Sequence, residues 1–232
     1  LDNRLAGNVG VLGMVPDADL YFFPLATVQE ATGREETAWL HALSILTAGD
    51  VICAGYRPVA ANETQPNINY WDDTNGYLEL ANNLGVCTVI RAGNAGIDLG
   101  SVEPEGGDQG AIVATAVSPG EPYKRWCTGT TASNYTTADG FQTVTASGWG
   151  MGVNTCGKGP SRDNYLGYNT INYADPTDAH DVHAYAYTNN FGGTGAAAAM
   201  VSGAVAMAEG FSKQIFDIPM SPLVVRQLIG GG

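Results

Sequence analysis

The sequence predicts an α/β fold, a doubly wound parallel sheet with flanking helices. Short, uniformly apolar runs alternate with amphipathic stretches of helical period, and glycines stand at the joints. The order strand, helix, strand, helix, strand favours right-handed crossovers and parallel pairing. Uniform apolar runs suit strands buried on both faces. At 232 residues the chain reads as one domain over residues 1–232. A globule of this size buries roughly 70% of its unfolded surface without needing disulfides or metals.

Taken in order, residues 10–15 form a turn-like apolar stretch and residues 19–25 (DLYFFPL) read as a strand. Residues 35–47 (EETAWLHALSILT) place Ala38, Leu40, Ala42, Leu43 and Leu46 on a helical stripe, with acids in the first turn. Gly49 and Asp50 end that helix, and residues 51–55 form the next strand. Residues 74–84 are helical and Gly85 stops them. Residues 86–90 and 111–116 are further strands. From 120 to 190 the chain is rich in Gly, Thr, Asn and Tyr and reads as strands and long surface loops. Residues 194–209, nearly all small or apolar, predict a deeply buried helix. Ser221 caps a last helix through Ile229, with Pro222 in its first turn.

Composition excludes several classes. Ten Lys+Arg against 23 Asp+Glu give a net charge of −13, and only Lys124 and Arg125 are adjacent, so nucleic-acid binding is not expected. No apolar run approaches the roughly 20 residues of a membrane span. Residues 1–4 (LDNR) do not have the pattern of a signal peptide. Few lysines, an acidic balance and the N-x-T sequons at Asn62 and Asn134 favour a secreted or cell-surface protein. Of four cysteines, Cys53 and Cys87 lie in apolar strands as buried thiols, while Cys127 and Cys156 lie in polar stretches where they could pair. No CxxC spacing marks a zinc site. Residues 178–183 (DAHDVH) contain two His and two Asp, but such a loop is usually a solvated turn, so no metal site is expected there.

Two segments carry chemistry. In residues 90–96 (IRAGNAG) a strand runs into a glycine-flanked asparagine, Asn94. An amide held there can donate to a developing oxyanion, an effect worth about 3 kcal/mol of barrier. The plain alternative is a tight turn. In residues 191–203 (FGGTGAAAAMVSG) a glycine-rich approach enters a buried helix, whose first N–H groups favour negative charge. Close packing alone would also explain those small residues.

Together these segments resemble the subtilisin-like serine protease family (subtilase, peptidase S8). Gly193-Thr194-x-Ala196 and Val201-Ser202-Gly203 are similar to the nucleophile motif Gly-Thr-Ser-x-Ala…Val-Ala-Gly. Ala92-Gly93-Asn94-x-Gly96 is similar to the oxyanion asparagine motif, and residues 8–21 to the stretch after the catalytic histidine. Asp50-Val51-Ile52 resembles the strand leading to the substrate-binding segment, and residues 221–228 the closing helix. The resemblance implies endopeptidase chemistry with Asn94 in the oxyanion hole. It also implies an extended peptide or protein substrate lying along Gly55 and against a pocket wall of Arg91, Ala92 and Gly93. Arg91 stands where the family commonly has a small residue, and it would favour acidic side chains if it faced the pocket.

The departures from the pattern matter as much. The nucleophilic serine falls on Gly195, which cannot attack a carbonyl. The His-Gly-Thr motif would lie just upstream of Leu1, and the aspartate further upstream, so the early strands carrying both are absent from this sequence. None of the three histidines, His41, His180 and His183, matches the triad position. An upstream segment or a second chain would have to supply Asp and His. As written, the chain is expected to be inactive, or a pseudoprotease serving as a binding or assembly module. The resemblance leaves calcium open, but the stretch 3–8 is short for the family's usual calcium loop and gives no clear motif, so no cofactor is expected.

Overall fold

The computed structural model describes residues 13–23, 34–55, 72–98, 110–129, 131–135, 144–156 and 187–230. Four parallel strands form its centre: β1 (Val51–Ala54), β2 (Cys87–Arg91), β3 (Ile112–Ser118) and, further along the chain, β7 (Ala146–Trp149). Their spatial order is β1-β2-β3-β7, with Val51 opposite Cys87, Val89 opposite Ile112 and Ala114 opposite Ala146. The short β4 (Lys124–Arg125) runs antiparallel along the end of β3. Two small antiparallel pairs lie beside the sheet, β5 (Cys127–Thr128) with β6 (Thr131–Ala132) and β8 (Val153–Cys156) with β9 (Tyr187–Phe191).

Helices cover both faces, as a parallel sheet requires. Alternate residues of a strand point to opposite faces, so Val51, Cys87 and Val89 face one way and Ile52 and Ile90 the other. On the first face the long α3 (Gly193–Phe216) packs Ala198, Val201 and Val205 onto Cys87, Val89, Ile112 and Ala114, joined by Val225 of α4 (Pro222–Gly230). On the second, α1 (Arg34–Ile45) and α2 (Asp72–Asn83) bring Trp39 and Leu78 onto Ala54 and Ala111, with Leu43, Ala81 and Val86 alongside. Each fully buried Val or Ile in these layers contributes about 1.5–3 kcal/mol. The doubly wound α/β class read from the sequence is the observed one.

Local chemistry explains the joints. Gly49 (φ 83°) and Gly85 (φ 76°) take left-handed turns after α1 and α2, a conformation that side chains disfavour. The Asp50 carboxylate accepts from the Thr47 N–H at 2.8 Å, closing the turn into β1. Ser221 Oγ accepts from the Val224 N–H at 3.4 Å at the start of α4, in the capping role expected for it.

Several expectations are corrected. Residues 19–23 form no strand: Leu20 and Phe22 are exposed, and no described residue pairs with that segment to build a ladder. On α1 the buried stripe runs through Trp39, Ala42 and Leu43, leaving Leu40 on the solvent side. The long helix is buried nearly throughout its first half, while in its second half only one side, with Val205, Glu209 and Ser212, stays buried. It continues seven residues past Glu209, and Met207, Phe211 and Ile215 lie on an exposed side. Cys53 is exposed where a buried thiol was expected, because β1 ends the sheet among the described residues. Cys127 is a free, exposed thiol, and it sits on a different strand pair from Cys156. Asn134 is fully buried, so its sequon offers no surface for a glycan. The other sequon, at Asn62, and the loop 178–183 lie outside the described residues.

Candidate active site

The carboxyl ends of β1 and β2 and the amino end of α3 meet at one place, the end of a parallel sheet where ligands collect. Small residues make that meeting possible. A Cβ on Gly148 of β7 would lie 2.7 Å from the Ala197 carbonyl oxygen, so only glycine lets the first turns of α3 sit this close to the sheet. Gly193 has φ 76°, and a Cβ there would come 3.2 Å from the Asn94 amide nitrogen.

Asn94 follows β2 and is half-buried. Its Oδ1 accepts two hydrogen bonds from Thr194, one from the backbone N–H at 3.0 Å and one from the hydroxyl at 2.8 Å. The first satisfies an N–H left open at the start of α3, so Asn94 caps this helix from a different element. Gly192, at the N-cap position, makes no side-chain bond of its own. The Thr194 hydroxyl, fully buried, also accepts the Gly93 N–H at 3.2 Å. With Oδ1 occupied on both counts, Asn94 Nδ2 is left without an acceptor among the described residues. It is an amide donor of fixed orientation beside the helix start, the geometry that stabilises negative charge.

Gly195 follows at once. A Cβ built on it would lie 3.2 Å from the Gly55 carbonyl oxygen, and nothing else beyond its chain neighbours and its own helix would come within 4 Å. A Cβ at 195 therefore needs the Gly55 carbonyl to give by a few tenths of an ångström. Gly195, Thr194, Asn94 and Gly55 thus form one cluster. Ala92 and Gly93 are buried beside it, and Ala92 N–H donates to Ala114 O at 2.9 Å. Arg91 is the half-buried last residue of β2, paired in register with Ala114.

Of the candidate residues, Gly55, Ala92, Gly93, Asn94 and Gly195 are brought together; Arg91 lies at the strand end leading into the group. His41 is exposed on α1, with its ring edge-on to Phe23 at 5.5 Å. The sequence reading missed the clamping by Thr194, whose hydroxyl serves two partners about a hundred residues away. It also missed Asn134 and Ser133, which lie fully buried behind the loop of Asn94. Among the described residues no group of three or more His, Cys, Asp or Glu side chains could hold a metal ion. No described helix is long and apolar enough to cross a membrane.

Comparison with known proteins adds to this geometry. A solved structure titled as that of a lanthipeptide protease superposes with a TM-score of 0.59 at 13% identity, over 93% of this chain. The chain spans 62% of that protein's length, and at this identity the likeness concerns the fold. No curated protein sequence matches the chain. The family profile of the subtilases (Peptidase S8) matches residues 3–230. The chain therefore belongs to the subtilase family.

Proposed function

We propose that this chain carries the peptide-binding and oxyanion side of a subtilase-type endopeptidase site in a chemically silent form. The observation that carries the reading is the cluster of Asn94, Thr194, Gly195 and the Gly55 carbonyl. Asn94 offers its amide where an oxyanion would develop. The backbone ending β1 at Gly55 offers an edge to an extended peptide, and the strand end at Arg91, Ala92 and Gly93 forms a wall beside it. Gly195 has no nucleophilic atom, so no acyl-enzyme forms and bound peptide is released uncut. Full endopeptidase chemistry would need a serine at 195, together with an Asp and a His from an upstream segment or a second chain. No cofactor enters this reading. The family and the acidic composition support a secreted or cell-surface location.

Glycine at 195 also favours a second reading, a structural or assembly module on the same fold that holds no extended peptide. One experiment separates them. The chain and its Gly195→Ser variant are incubated with a set of extended peptides and with a fluorophosphonate, reading binding by fluorescence anisotropy and cleavage or adducts by mass spectrometry. The proposal expects peptide binding by both proteins and neither cleavage nor adduct for the wild-type chain. Binding of no peptide by either protein would favour the assembly module, and cleavage by the wild-type chain would overturn both readings.

A further inference from the structure

We propose that Asn134 is the positioning residue for the Asn94 amide; the proposal rests on reading Asn94 as the oxyanion-side donor. The loop that carries Asn94 cannot hold itself, because Gly93 (φ 99°) and Gly96 (φ 72°) flank the asparagine with unrestricted backbone. Its shape has to be imposed from outside. Asn134 is fully buried and brackets the loop on both sides of Asn94. Its Nδ2 donates to Ala92 O at 2.8 Å, its Oδ1 accepts the Ile97 N–H at 2.9 Å, and its own N–H donates to Gly93 O at 2.9 Å. The backbone beside it completes the grip, with Ala132 N–H on Asn94 O at 3.1 Å and Gly96 N–H on Ala132 O at 2.8 Å.

The clamp is itself anchored to the sheet. Ser133 Oγ accepts the Ala116 N–H of β3 at 2.9 Å and donates to Asn134 O at 2.9 Å, while Ser133 N–H donates to Trp126 O at 2.9 Å. Position therefore passes from β3 through Ser133 and Asn134 to residues 92–97, and Thr194 fixes the Asn94 side chain from the other side. The side chain at 134 must present one donor and one acceptor at once while staying neutral in a buried site. An amide does this. Aspartate would keep the acceptor for Ile97 but turn an oxygen toward the Ala92 carbonyl.

The test follows the side-chain amide resonances of Asn94 and Asn134 by ¹⁵N NMR, assigned with Asn94→Ala, in samples without peptide. Failure of the peptide-binding reading therefore leaves it unaffected. In the wild-type chain, the Asn134 Nδ2 proton facing Ala92 should exchange as slowly as the amides of β3. Asn134→Ala and Asn134→Asp should each displace the Asn94 amide pair by more than its linewidth. Val225→Ala, which opens a cavity in the core of α4, should lower the melting temperature and leave that pair in place. Exchange of the Asn134 side chain at the free-amide rate would overturn the proposal without any variant. So would an Asn94 pair unmoved by both substitutions at 134, or one moved equally by Val225→Ala.

Discussion

Replacing Thr194 with valine tests how the helix and the loop hold one another. Valine keeps the branched shape of threonine and replaces only the hydroxyl, with a methyl group. Two contacts go with the hydroxyl, the donation to Asn94 Oδ1 at 2.8 Å and the acceptance of the Gly93 N–H at 3.2 Å. Asn94 Oδ1 keeps the Thr194 backbone N–H as a partner. The Gly93 N–H is buried and, among the described residues, loses its acceptor. Stranding a buried donor costs about 1–3 kcal/mol, and the loss of the second bond puts the expected total near 2 kcal/mol. For a chain of this length each kcal/mol corresponds to about 2–4 °C, so the melting temperature should fall by about 4–8 °C. Thr194→Ser keeps both bonds and loses one buried methyl, a cost of about 1 kcal/mol. Thermal unfolding followed by circular dichroism reads both variants. A Thr194→Val melting temperature within about 1 °C of wild type, against the scale above, would refute the argument that this hydroxyl fastens α3 to the loop.

Other expectations follow from the same geometry. Gly148→Ala drives a methyl into the Ala197 backbone, 2.7 Å from its carbonyl oxygen, and should destabilise by about 1–3 kcal/mol in the same melt. Gly210→Ala, on the exposed side of α3 with nothing within 4 Å of the new methyl, should instead stabilise by about 0.5–1 kcal/mol. Burial first, and then the charge and hydrogen bond of Glu209, push the Cys87 thiol from 9.0 up to about 12. The unfolded thiol ionises at lower pH than the folded one, so unfolding releases a proton between those values. Stability is therefore unaffected by this group below pH 9 and falls by at most about 1.4 kcal/mol per pH unit as pH rises toward 12. Denaturant melts across that range should show the slope in the wild-type chain and its loss in Cys87→Ala. Alkylation with a maleimide at neutral pH should reach Cys127 before Cys87, in keeping with one exposed thiol and one buried.

The fold was legible because its signals are local. Val86, Val89 and Ile112 announce strands buried on both faces, and the glycines at 49 and 85 mark the ends of helices. The segment 19–23 misled for a physical reason: Leu20, Tyr21 and Phe22 have strand propensity, but a strand forms only where a neighbour supplies the ladder. The site was legible as a pair of motifs and not as a mechanism of support. Asn94 and Gly195 stand in recognisable glycine-rich runs. Asn134 binds Ala92 and Ile97, 42 and 37 positions earlier, and nothing in Ala132-Ser133-Asn134-Tyr135 marks those partners. Its triplet instead suggested a surface sequon, which burial removes.

The central claim is that the cluster around Gly195 holds an extended peptide without cutting it. The most direct measurement is a ¹⁵N NMR titration of the wild-type chain with an extended peptide, with mass spectrometry of the same tube. The backbone amides of Gly55, Ala92, Gly93, Asn94 and Gly195 should move together along one binding curve while the peptide stays intact. Shifts confined to other surfaces, or the appearance of cleavage products, would contradict the account.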